Sequence, residues 1–274
     1  MSKEQALESA EHAGSGVRGA ASPEATAERT ITLELFRYHP ETDSEPRFQS
    51  YEVPYNEDWV VLDAINWIKD HVDGTVTHRW SCRMGVCGSC GMMVNGEPVL
   101  TCAAFLKSYF PFAVRVEPLV NFPVERDLVV SMDGFMEKLE AVKPYMIRDD
   151  VNDTSGGEFR QSPAELAKYK QFSMCINCML CYAACPVVGH EEEFLGPAAL
   201  ALGHRYNKDS RDQGFAERMD VMLSDEAMWG CTFVGECSVV CPKHVDPAGA
   251  IQQAKAMGAQ EYFKRFVMPK GAGA

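Results

Sequence analysis

The chain has 274 residues, 46% hydrophobic and 24% charged, a balance that allows a buried core and excludes wholesale disorder and fibrous classes. Its 39 acidic and 26 basic residues leave a net charge of -13, which repels phosphate backbones and argues against nucleic-acid binding. No stretch approaches the roughly 20 uninterrupted apolar residues of a membrane-spanning helix, and the N-terminus lacks the apolar core of a secretory signal.

Residues 1–28, rich in Ala, Glu, Ser and Gly without an apolar period, read as a disordered leader. Within it Gly14-Ser15-Gly16-Val17-Arg18-Gly19 matches a dinucleotide fingerprint. That motif has meaning only between a strand and a helix, and neither flanks it. The alternation of Ile31, Leu33 and Leu35 predicts a half-buried strand, with Phe48–Pro54 as its hairpin partner. Asp58 is the predicted cap of a helix carrying Val61, Ala64, Ile65 and Ile68. Met92–Val94 and Pro98–Leu100 flank an Asn95-Gly96 hairpin turn, and Val114–Glu117 is a further strand. Strands and a helix in this order predict an α+β domain over 29–130.

Beyond it the period changes. Met132, Phe135, Met136 and Leu139 mark a helix, and Asp149–Gln161 is polar and glycine-containing, like a linker. Asn152-Asp153-Thr154 is a glycosylation triplet, read as chance because nothing supports export. Ser162-Pro163-Ala164-Glu165 combines a capping box with proline at the first helical position. The second half, 131–274, reads as all-α and ends in a helix from about Pro247 to Phe266.

Eleven cysteines fall in three groups: four in 82–102, four in 175–185 and three in 231–241. An odd number in an unexported chain points to reduced thiols or metal ligands. Cys82, Cys87 and Cys90 have the spacing of plant-type 2Fe-2S ferredoxins, with Cys102 as the fourth ligand. Gly85, Gly88 and Gly91 allow the tight, crowded turns that such a loop needs. A structural zinc site or a redox Cys87-x-x-Cys90 pair is the alternative, but zinc ribbons favour two separated pairs. Cys175, Cys178, Cys181 and Cys185-Pro186 reproduce the bacterial ferredoxin run, whose fourth cysteine serves the other cluster of a pair. The partner run is Cys231, Val234, Cys237 and Cys241-Pro242, with valine in place of one cysteine. Crossed ligation assigns Cys175, Cys178, Cys181 and Cys241 to a 4Fe-4S cluster. Cys185, Cys231 and Cys237 remain for a three-thiolate site facing Val234, whose expected occupant is a 3Fe-4S cluster. Such clusters conduct single electrons and bind no organic substrate, so the chain is expected to work between partners.

In RWSCRMGVCGSCGMMVNG (79–96), NFPVERDLVV (121–130), FSMCINCMLCYAACP (172–186), GHRYNKDSRDQG (203–214) and CTFVGECSVVCPKHVDPAGAIQQ (231–253), the chain resembles the iron-sulfur subunits of the succinate dehydrogenase and fumarate reductase family. The resemblance covers about Arg29 to Met268. It implies a β-grasp 2Fe-2S ferredoxin domain followed by a helical ferredoxin domain. It also implies a flavoprotein partner holding FAD and the dicarboxylate site, a transmembrane anchor with quinone, and a peripheral place on the cytoplasmic face of the membrane. The quinone pocket would use Thr232, Gln252 and Lys255. Succinate dehydrogenases that reduce ubiquinone usually carry His at the place of Thr232 and a Trp near Gly189-His190. Both are absent, so the resemblance is nearer to menaquinol-linked fumarate reductases.

From residue type alone, Gln252 and Lys255 read as a solvated helix face and Thr232 as a local hydrogen-bonding residue. His204 and His244 read as structural histidines. Arg205 and Arg211 are expected to pair with acidic residues. The alternative is the succinate dehydrogenase direction with quinone reduction, which the same conduit would serve; a soluble multi-cluster ferredoxin and a zinc-stabilised interaction module are the rival functional readings.

Overall fold

The computed structural model describes residues 29–150 and 155–267. The leader with its glycine motif and the 152–154 triplet lie outside the described residues. Alternating burial along β1 (Thr30–Arg37) puts Ile31, Leu33, Leu35 and Arg37 inward, and β1 pairs antiparallel with β2 (Arg47–Pro54) from Thr30 opposite Pro54 to Arg37 opposite Arg47. Helix α1 (Val61–His71) lays Val61, Leu62, Ala64, Ile65 and Ile68 into the core. Each such Leu or Ile contributes about 1.5–3 kcal/mol on full burial. The predicted cap is corrected here: the helix starts after Val60, whose N–H donates to Asp63 Oδ2 at 3.2 Å. Asp58 instead donates its own N–H to Asn56 Oδ1. A carboxylate one turn inside the helix reaches back to the first free amide and also suits the positive end of the helix dipole.

Strands β3 (Gly91–Val94) and β4 (Glu97–Leu100) form the predicted hairpin, with Asn95 at φ 49° and Gly96 at φ 85°. Two positive φ values match a type I′ turn, whose twist suits antiparallel strands. With β5 (Val114–Glu117) the sheet order is β2-β1-β5-β3-β4, and only β1 and β5 run parallel. A short ribbon of β6 (Val124–Arg126) and β7 (Val129–Val130) follows. Arg37 ends the inward stripe of β1. It donates to Asp73, Tyr51, Thr75 and Asp127, while the Thr77 N–H donates to Asp127 Oδ2. A buried guanidinium held by two carboxylates ties the sheet to the loop after α1 and to the β6–β7 turn.

The rest is helical: α2 (Asp133–Ala141), α3 (Pro163–Ala167), α4 (Leu180–Ala183), α5 (Pro186–His190), α6 (Pro197–Asn207), α7 (Phe215–Met222), α8 (Glu236–Val239) and α9 (Pro247–Val267). Ser162 and Glu165 make the predicted capping box, with Pro163 in the first turn. Arg218, fully buried, is paired with Asp212 and donates to the carbonyls of Lys143 and Tyr145, fastening the segment after α2 to α7. One apolar core joins Leu62, Met93, Leu100 and Leu119 from the sheet side to Phe135, Leu180, Tyr182 and Ala248 from the helical side. That shared core holds the cysteine loops of the two halves against each other.

Candidate iron-sulfur sites

The structure gathers the cysteines into three sets. Cys82, Cys87, Cys90 and Cys102 lie together at the edge of the sheet: Cys82 Sγ accepts N–H bonds from Met84, Val86 and Cys87 at 3.3–3.4 Å, and Cys90 neighbours Cys102. Amides aimed at sulfur stabilise negative charge there. The Ser89 hydroxyl and backbone amides bring the Cys87 thiol down to about 6. Burial moves Cys102 the other way, to about 11.

The two later runs fold alike. A 3-10 turn, Phe172–Met174, leads into Cys175, and another, Met228–Gly230, leads into Cys231. Asn177 and Met179 take left-handed conformations on either side of Cys178, and Phe233 and Gly235 do so on either side of Val234. Each loop then enters a four-residue helix, α4 or α8, carrying Cys181 or Cys237. Reversing the backbone twice in three residues turns the middle side chain and the flanking cysteines toward one centre.

Each run contributes to both centres. One cavity is lined by Cys175, Cys178, Cys181 and Cys241; the other by Cys185, Cys231, Cys237 and Val234. Among the described residues no three His, Cys, Asp or Glu side chains converge closely enough for a single ion. Sulfurs bound to different irons of one cluster stand further apart than that. Burial pushes the Cys178 thiol up to about 11 and Cys237 up to about 12, and raises Cys175, Cys181 and Cys185 as well. Neighbouring sulfurs add to the rise within each set. Buried thiolates packed this closely are costly alone and suited to iron, whose positive charge deprotonates a coordinating thiol. The donor sets therefore fit iron-sulfur clusters.

Asn121, in the loop before β6, was not singled out as a site residue from sequence. Its Nδ2 donates to the carbonyls of Tyr182, Ala183 and Cys185 at 2.9, 3.3 and 3.2 Å. It thereby fixes the chain between Cys181 and Cys185, which point to different centres. A polar loop residue carries no local signal of such a role.

The predicted quinone residues are only partly assembled. Thr232 lines a cavity of about 620 Å³ together with Pro186, Val187, His190, Glu191 and Phe194. Lys255 does not line it; its Nζ donates to the Cys231 carbonyl. Gln252, one turn earlier on α9, buries an Nε2 that has no partner among the described residues. The expected pairing of Arg205 and Arg211 is seen, both with Asp209. His204 is fully buried, with Nε2 3.3 Å from Gln253 Oε1 and no hydrogen-bond partner for Nδ1 among the described residues.

Comparison with known proteins agrees with this geometry. Residues 32–137 match the 2Fe-2S iron-sulfur cluster binding domain family, and residues 171–245 match the 4Fe-4S dicluster domain family. The chain is 58% identical to the fumarate reductase iron-sulfur subunit of Mycobacterium tuberculosis over 243 residues, covering 89% of this chain and 98% of the relative. It is 51% identical to that of Haemophilus influenzae over 88% of this chain and 98% of the relative. It is also 37% identical to the succinate dehydrogenase iron-sulfur subunit of Coxiella burnetii, covering 84% and 98%. A chain of the solved Mycobacterium smegmatis Sdh1 complex superimposes with a TM-score of 0.78 at 28% identity, over 86% of this chain and 98% of that one. The chain belongs to the family of iron-sulfur subunits of fumarate reductase and succinate dehydrogenase.

Proposed function

We propose that this chain carries single electrons between FAD in a flavoprotein subunit and a menaquinone site at a transmembrane anchor, on the cytoplasmic face of the membrane. Residues 29–130 hold the first cluster through Cys82, Cys87, Cys90 and Cys102. Residues 131–274 hold the 4Fe-4S cluster through Cys175, Cys178, Cys181 and Cys241, and the 3Fe-4S cluster through Cys185, Cys231 and Cys237. The clusters supply the one-electron chemistry. The protein supplies thiolates, amide dipoles toward sulfur and the spacing between centres.

The observation that carries this reading is the crossed lining of the two later cavities, in which each ferredoxin-like run gives three positions to one centre and one to the other. Val234, 57% exposed, supports the three-iron assignment, because it stands where Cys178 stands in the other run and offers no ligand. Docking at both ends is supported by exposed apolar side chains: Trp80, Met84 and Val86 at the first cluster loop, and Trp229, Phe233, Tyr262, Phe263 and Phe266 around the last run and α9. No helix among the described residues is long and apolar enough to cross a membrane; the attachment proposed is through the anchor partner. The cavity at Thr232 is of a size that suits a quinone head group.

Iron and acid-labile sulfide analysis with EPR of the anaerobically isolated complex tests the reading. The expected content is about nine irons per chain. A full-occupancy value near ten would overturn the three-iron site, and a colourless zinc protein would overturn the whole assignment. Purification as a free monomer, with no flavoprotein and no membrane association, would favour a soluble multi-cluster ferredoxin.

A further inference from the structure

The cluster loops of the two halves meet at Cys178. A Cβ added to Gly88 would stand 2.9 Å from both Cα and Cβ of Cys178 and 2.9 Å from the Ile176 carbonyl oxygen. At Gly91 it would stand 3.0 Å from the Cys178 carbonyl oxygen and 3.1 Å from Leu180 Cδ2. Two glycines of the first loop thus bracket one cysteine of the second.

Gly88 has φ +77°, so a tight turn alone could account for it. Gly91 is not in the left-handed region, and its backbone would accept any residue. What crowds a side chain there is the approach of the Cys178 carbonyl oxygen and the Leu180 side chain. The contact also falls between chain segments expected to ligate two different clusters: Cys87 and Cys90 flank Gly88, and Cys178 is itself in the second set.

We propose that Gly88 and Gly91 are positioning residues for electron transfer between the first and second clusters. This rests on the ligand reading above. Without side chains, the backbone between Cys87 and Cys90 rides directly on Cys178, so the path from one ligand set to the other runs along covalent bonds interrupted by a single van der Waals contact. One electron leaves a reduced 2Fe-2S cluster and enters an oxidised 4Fe-4S cluster, or the reverse. No bond forms or breaks and no proton is exchanged. Tunnelling weakens steeply with the width of a through-space gap. A methyl group at Gly88 must displace the backbone of Cys178, and one at Gly91 presses on the Cys178 carbonyl by a few tenths of an ångström, so each widens that gap.

The test uses the intact complex carrying Gly88→Ala or Gly91→Ala, with Gly96→Ala as control. Gly96 shares the left-handed backbone (φ +85°), lies in the β3–β4 turn outside the cluster loops, and has nothing within 4 Å of an added Cβ. Two readouts are taken: the spin-relaxation enhancement of the reduced 2Fe-2S EPR signal by the reduced 4Fe-4S cluster, and the rate at which a flash-injected electron redistributes between them. Both are expected to fall in Gly88→Ala and Gly91→Ala at full iron content, and to stay at the wild-type level in Gly96→Ala. Wild-type coupling and rate in either fully loaded loop variant would overturn the proposal. Loss of a cluster in both loop variants would also overturn it, because the contact would then serve assembly rather than transfer. A wild-type complex lacking the two cluster signals would instead refute the ligand reading itself.

Discussion

Lys255 Nζ donates to the carbonyl oxygen of Cys231 at 2.8 Å, so a lysine in the middle of the last helix holds the backbone on which the third cysteine set begins. The residue is half-buried and engaged, unlike the solvated helix lysine that residue type alone suggests. Thr232, next in the chain, lines the large cavity. Lys255 therefore sets the position of the threonine whether or not it also reaches a quinone oxygen.

Replacing Lys255 with alanine is accordingly expected to depress quinol-dependent fumarate reduction. A hydrogen bond from a charged donor contributes about 1.5–3 kcal/mol, or roughly tenfold to a hundredfold in rate at that step. Fumarate reduction driven by a small artificial donor to the flavin should stay largely intact. Equal loss in both assays would point to faulty assembly, and full quinol activity would remove the lysine from the quinone end.

Val234→Cys places a thiol at the position corresponding to Cys178, flanked, as Cys178 is, by two left-handed residues, here Phe233 and Gly235. A four-iron cluster is expected to form there, with a changed potential because ligand count and net charge both change. Redox-poised EPR checks this. An unaltered oxidised three-iron signal in the variant would show that Val234 is not the missing corner.

Asn121→Ala strips one amide donor from three carbonyls at the end of α4. The carbonyls of Tyr182 and Cys185 keep backbone N–H partners in Cys185 and Gly189, so the loss is that of a typical hydrogen bond, about 0.5–1.5 kcal/mol. Thermal unfolding should shift down accordingly, and the three-iron signal should be lost before the others because the Cys185 segment is loosened. Asn121→Asp is expected to be worse, since a carboxylate would face those same carbonyls.

His204 gives the chain an acid-sensitive element. Burial lowers its pKa from 6.5 to about 4, and His78 is lowered to about 4 for the same reason. Each ring stays neutral in the folded chain and takes up a proton when unfolded. The stability from each is therefore full above about pH 6.5 and is lost as pH falls toward 4, on the order of 3 kcal/mol at the limit. Melting temperatures measured from about pH 7.5 down to about pH 5.5 should fall, and His204→Gln should flatten roughly half of that slope. An unchanged slope in the variant would place the pH dependence elsewhere.

The strands and the Asn95-Gly96 hairpin were legible because alternation and turn chemistry are local. That Cys241 lines one cavity with Cys175, Cys178 and Cys181 was legible for a different reason: in paired ferredoxin runs the fourth cysteine of each run serves the other centre. What stayed hidden depends on residues far apart in the chain. Asn121 meets Cys185 across the domain junction, Gly88 meets Cys178, and Lys255 meets Cys231. Nothing in the neighbours of Asn121, Gly88 or Lys255 signals the partner, because each contact exists only once two loops or helices have been packed. Asp58 misled for the opposite reason. Two acidic residues near one helix start both suit a cap, and the backbone path decides which one reaches the free amide.

The crossed cysteines have a mechanical consequence. With iron bound as proposed, Cys185 and Cys241 stitch each run to the other's cluster, and the intervening chain, with α6 and α7, becomes a loop closed at both ends by metal. A protease cut in that loop, for instance near Asp209–Gly214, would leave two pieces still clamped together. They would part only when a chelator or oxidant dissolved the clusters, so the iron would act as a cross-link as well as a conductor.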